Sequence, residues 1–147
     1  MKQSLRAQIE ALLQQELDRR GRPGLSFRLC LSDRAWRETM LAIGCPSYQA
    51  RLASPTARRS TRGNLGMATI CHLRHGHEAV VYVKTRRRGW DAIADTVRHE
   101  AVHLARPSYS HRQVEMALGH HPISQRGGSA GTQSRARPAT RRGGPRR

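Results

Sequence analysis

Val97-Arg98-His99-Glu100-Ala101-Val102-His103-Leu104 decides the reading of this chain, because it sets two histidines four residues apart with a glutamate directly after the first. On a helix such residues share a face, so His99 and His103 present two imidazoles to one ion. Glu100 then stands beside them, where a carboxylate reaches a water that the ion polarises. Pro107 breaks the helix, and His111 follows within a few residues as a third imidazole that a short loop can bring back to the first two.

Working outward, the motif helix is expected over Trp90 to Ala105, capped by Gly89 or Asp91, with Asp91 and Asp95 at its positive end. Ile93, Val97 and Leu104 should face the core. Ser110-His111-Arg112-Gln113 fits a capping box, so His111 opens a second helix whose apolar side is Val114, Ala117 and Leu118 and which Gly119 closes. Upstream, Gly66 to Lys84 reads as a hairpin, with strands near Met67–Leu73 and Ala79–Val83 and a turn near Arg74-His75-Gly76-His77. His72, His75 and His77 crowd that turn tip, and are not read as a metal site.

Residues 2–20 carry Leu5, Ile9, Leu12, Leu13 and Leu17 as one apolar stripe, an amphipathic helix ended by Gly21 and Pro23. Leu25, Phe27, Leu29 and Leu31 alternate with smaller or polar residues, the period of a half-buried strand. Ser32-Asp33 caps a short helix through Trp36 and Met40 that Gly44 and Pro46 close, and Cys45 to Asn64 is expected to be a loop.

The 147 residues carry a formal charge of +17. Most of it is arginine, whose planar fork suits phosphate, and the excess favours a polyanionic partner, most often nucleic acid. Three arginine groups are candidate phosphate contacts: Arg58, Arg59 and Arg62 among small hydroxyl residues, Arg86, Arg87 and Arg88 before the motif helix, and Arg141, Arg142, Arg146 and Arg147 at the end. Beyond Ile123 the chain holds arginine and glycine but no acid and no periodicity, so 1–123 is expected to be the folded domain and 124–147 a disordered basic tail. No stretch is long and apolar enough to span a bilayer, and none at the start resembles a signal peptide. Cys30, Cys45 and Cys71 are odd in number and widely spaced, which predicts reduced, partly buried thiols and a cytoplasmic protein, with nucleoid association in view of the charge. The oligomeric state is not legible.

Zinc is the expected ion, because imidazole suits it and a catalytic zinc keeps one position open beside three protein ligands. The expected ligands are His99, His103 and His111; Glu115, His120 and His121 are the alternatives for the third. Glu100 is the expected base in hydrolysis of a peptide bond, and Tyr109 a candidate extra donor to the oxyanion. The longer metzincin pattern is excluded, because Arg106 and Tyr109 occupy its glycine and third-histidine positions.

An N-terminal helix, a small sheet, then Thr96-Val97-Arg98-His99-Glu100-Ala101-Val102-His103-Leu104 and a further histidine opening the next helix resemble the SprT-like (Spartan-like) metalloprotease domain. The resemblance runs over 1–121 in element order and is specific over 96–118. It implies an α+β, minimal zincin-like domain with a small antiparallel sheet, zinc on His99, His103 and His111, Glu100 as base, and a protein substrate bound or crosslinked to DNA. The loop before the third histidine is shorter than in better-known members, Arg112 and Glu115 replace a glycine and an aromatic residue, and no cysteine zinc ribbon follows; the basic tail would take the place of an accessory DNA-binding module. A contrasting expectation is a small basic nucleic-acid-binding protein whose zinc is structural or absent, with His120 or His121 closing the fourth position.

Overall fold

The structure, a computed structural model, describes residues 2–53 and 60–120. Arg58, Arg59, His121, Arg141, Arg142, Arg146, Arg147 and the whole basic tail lie outside the described residues. The elements run α1 (Leu5–Arg19), β1 (Phe27–Cys30), α2 (Asp33–Ala42), α3 (Pro46–Ala53), β2 (Gly66–Leu73), β3 (Gly76–Val83), α4 (Trp90–Ala105) and α5 (His111–Ala117). This is an α+β arrangement, with α4 at the bounds its periodicity predicts.

The sheet departs from the antiparallel expectation. Its order is β1-β3-β2, with β2 and β3 antiparallel as a hairpin and β1 parallel to β3, Phe27 opposite Ala79 and Cys30 opposite Tyr82. The central strand is apolar on both sides because helices cover both faces. Ala79, Val81 and Val83 join Ile9, Leu13 and Leu17 of α1 and Ile93, Val97, Ala101 and Leu104 of α4 in one core. Val80 and Tyr82 join Trp36, Met40 and Tyr48 in the other. A continuous apolar strand, unlike an alternating one, is what burial on two faces requires.

Two further expectations are corrected. Residues 46–53 form a helix, not a loop: Pro46 occupies its first position, where the missing N–H is harmless, and Tyr48 packs edge-on against Trp36 with ring centroids 5.2 Å apart. Cys45 and Cys71 are joined in a disulfide, their Cα atoms 5.4 Å apart across the α3–β2 contact, while Cys30 remains a buried thiol. The reduced-thiol argument for a cytoplasmic location therefore no longer holds. No helix among the described residues is long and apolar enough to cross a membrane.

Polar contacts lock the helices that frame the site. Buried Glu16 of α1 pairs with Arg19 at 2.9 Å and Arg20 at 3.2 Å, and faces Arg98 of α4 at 3.9 Å. On the other side, Asp33 accepts the Thr61 N–H at 2.7 Å and the Thr61 hydroxyl at 2.9 Å, and pairs with Arg37 at 2.9 Å. Desolvation alone would raise the Asp33 pKa, but the two Thr61 bonds and Arg37 outweigh it and hold the carboxyl below its usual range. A depressed carboxyl stabilises the fold above its unfolded pKa and loses that contribution as pH falls through the folded value. Thr61→Val should therefore destabilise by about 1–2 kcal/mol at neutral pH. The deficit should shrink below pH about 4 as Asp33 is neutralised. Denaturant titrations of both proteins across that range test this; a deficit independent of pH would refute it.

Candidate metal centre

α4 places His99 and His103 one turn apart, and the break at Arg106 and Pro107 lets α5 double back so that His111, its first residue, meets them. The turn is well specified: the Ser110 hydroxyl accepts the Gln113 N–H, and the Gln113 side chain accepts the Ser110 N–H at 2.8 Å. One ligand atom from each of the three rings lies within 4.8 Å of the others. His99 Nε2 and His103 Nε2 are 3.1 Å apart. That is close to the edge of about 3.3 Å expected for two nitrogens on tetrahedral zinc. Burial lowers the pKa of His99, against the pull of Glu115, and lowers that of His103, where the neighbouring rings add to it. Both imidazoles are thus neutral near pH 7, the form in which they ligate. The donor set fits a borderline metal ion.

Glu115, an alternative third ligand from sequence, has a different place. One of its carboxylate oxygens accepts from His99 Nδ1 at 3.1 Å and the other meets His120 Nδ1. With the proton of His99 held on Nδ1, its Nε2 lone pair is free for an ion. The His120 hydrogen bond lowers the Glu115 pKa and keeps it ionised. Glu115 is therefore a carboxylate behind His99, a candidate ligand, in an arrangement that would fix its tautomer and ring orientation. Its spacing, four residues after His111 on one helical face, was the sequence signal. Glu115→Ala should weaken zinc binding by about 10–100-fold, and Glu115→Gln, which keeps an acceptor oxygen, by much less. Competition with a chelator of known affinity measures both; an Ala variant of unchanged affinity would remove Glu115 from the site.

Glu100 is 5% exposed, and burial raises its pKa to about 7. It is packed there by a feature the sequence reading missed. A Cβ on Gly66, at the start of β2, would lie 2.6 Å from Glu100 Oε1 and 2.6 Å from Thr96 Cγ2. Only a residue without a side chain lets the edge strand come so close to the carboxylate. Thr96 is anchored in turn by Arg88, which donates to its hydroxyl at 2.7 Å, to the Ala92 carbonyl at 2.8 Å and to the Lys84 carbonyl at 2.8 Å.

A cleft of about 540 Å³ opens on this centre, lined by Leu65, Gly66, Arg88, Thr96, His99, Glu100, His111 and Glu115 among others. His103 lines a second cavity, of about 470 Å³, toward the hairpin end of β2. Tyr109 lines neither. Of the candidate phosphate contacts, Arg86 and Arg87 stand exposed on the β3–α4 link and Arg62 is exposed before β2, whereas the Arg88 guanidinium is bonded within the chain. Lys84, Arg86 and Arg87 surround a hollow that shares Leu65 and Arg88 with the main cleft.

No protein-family profile, curated protein or solved structure matches the chain.

Proposed function

We propose that the protein is a zinc-dependent endopeptidase, of the SprT-like kind its motif resembles, acting on protein associated with or crosslinked to DNA. The observation that carries this reading is the convergence of His99, His103 and His111 on one point, with Glu100 buried alongside. Zinc held by the three imidazoles would supply Lewis acidity and a nucleophilic water at neutral pH. Glu100 takes the proton of the attacking water on its carboxylate and delivers it to the leaving amine. Glu115 holds His99 in the ligating tautomer. Lys84, Arg86 and Arg87 border the cleft, so a phosphate backbone held there lies beside the protein to be cut. The competing closed-site reading needs a fourth ligand from His120 or His121; His120 is engaged with Glu115, and His121 lies outside the described residues.

The full-length protein should bind about one zinc and cleave DNA-binding proteins in the presence of DNA. A chelator should stop cleavage, zinc should restore it, and DNA binding should persist throughout. Arg86→Ala with Arg87→Ala should lower the slope of log affinity against log salt by about 2, roughly 0.9 for each phosphate that is no longer neutralised. Cleavage indifferent to chelator would overturn the zinc reading, and an unchanged slope would remove these arginines from the DNA interface.

A further inference from the structure

The two cavities are strung along one strand. Gly66 lines the first, and Ala68, Ile70 and His72, the next alternate residues of β2, line the second. From Gly66 to His72 the strand rises about 20 Å, the span of an extended peptide of about six residues. The histidine centre sits between the ends, with His99 and His111 on the first cavity and His103 on the second.

The second cavity carries one fixed cation in its wall. Arg22, from the turn after α1, His72 and His77 line it together with the apolar side chains of Ala68, Ile70 and Leu104, and it has no carboxylate in its wall. Among the described residues, no acidic side chain forms an ion pair with Arg22. His72 and His77 stand directly opposite each other on the hairpin, Nδ1 to Nδ1 at 2.8 Å. One Nδ1 must donate and the other accept, and a neutral ring that accepts at Nδ1 carries its proton on Nε2. The pair therefore keeps an Nε2–H donor on its accepting ring, in a cavity that the guanidinium of Arg22 also lines. Such a pocket is suited to an oxyanion on a short stem, with the apolar wall taking the stem's methylenes.

We propose that this pocket is a substrate subsite for an acidic side chain, Asp or Glu, at a fixed place on one side of the scissile bond, with Arg22 as its specificity-determining residue. The inference rests on the endopeptidase reading above. A DNA phosphate shares the chemistry, but the pocket lies along the same strand as the cleft over the histidine centre, within the reach of an extended peptide, and its apolar wall suits a side-chain stem.

The test is cleavage of a mixture of unfolded proteins by the zinc-loaded full-length chain, with the cut sites read by mass spectrometry. Asp and Glu should be enriched about tenfold at a single position relative to the cut, beyond any diffuse preference arising from the overall positive charge. In Arg22→Gln the enrichment should vanish while cleavage at sites lacking an acid persists, and Arg22→Lys should restore part of the enrichment. Excess duplex DNA should leave the profile unchanged. Cleavage with no positional preference, or with one that Arg22→Gln leaves intact or that DNA abolishes, would overturn the subsite and spare the endopeptidase. Absence of any cleavage would overturn both.

Discussion

Glu100→Gln should abolish peptide hydrolysis, by at least about 10²–10⁴-fold in kcat, while the protein still binds its zinc. The substitution keeps the shape of the side chain and removes its capacity to hold and release a proton. The three histidines that would hold the ion project from other positions on α4 and α5, so metal content should be unaffected. The same substitution should stabilise the metal-free protein at high pH. A buried carboxyl raised from 4.5 to about 7 stays protonated in the folded state after the unfolded chain has ionised. Its folded-state advantage is complete below the unfolded pKa and is lost as pH rises to the folded one. Above pH about 7.5 the glutamine variant should thus exceed the metal-free wild type by roughly 3 kcal/mol, and below pH about 4 the two should match. Assays of cleavage, zinc content and denaturant stability on one preparation decide the matter. Wild-type activity in the variant ends the enzyme reading, and equal stability at all pH values contradicts the burial.

Gly66→Ala should impair both fold and turnover. Its backbone is not in the left-handed region, so the expected effect is steric alone. The added methyl would sit 2.6 Å from both Thr96 Cγ2 and Glu100 Oε1. Thr96 cannot retreat, because it is 8% exposed and held by Arg88 at 2.7 Å. Either β2 separates from α4 or the Glu100 carboxylate is driven outward. Overpacking of this kind costs about 1–3 kcal/mol. A base displaced by about 1 Å loses on the order of 10²-fold in rate. Zinc affinity should change little, since none of the close contacts is a ligand histidine. A drop in thermal stability and kcat with zinc retained is the expected pattern. An alanine variant equal to wild type in both would show that the strand does not press on the carboxylate.

These two residues illustrate how differently parts of the site can be read. Glu100 and the histidines of α4 are visible in sequence because helical spacing is local: residues four apart must share a face whatever surrounds the helix. The Ser110–Gln113 box, the Pro107 break and the two-strand hairpin are local for the same reason, and each stands where its residues indicate. Gly66 carries no such mark. Its importance comes from an approach between strand and helix that are 30 residues apart, which no window of sequence contains.

The sequence by itself determined the α+β character, the bounds of α4, and the pairing of two imidazoles with a carboxylate, because periodicity and caps act over a single turn. Tertiary structure alone decided that β1 enters the sheet parallel to β3, that Cys45 meets Cys71, and that Glu115 hydrogen-bonds His99 from behind the three-histidine cluster. The uninterrupted apolar run of Ala79 to Val83 marked the return strand of a hairpin, but not that helices cover both its faces or that β1 is its second neighbour. Those outcomes are set by which distant surfaces exclude water together, and that is a property of the packed chain as a whole.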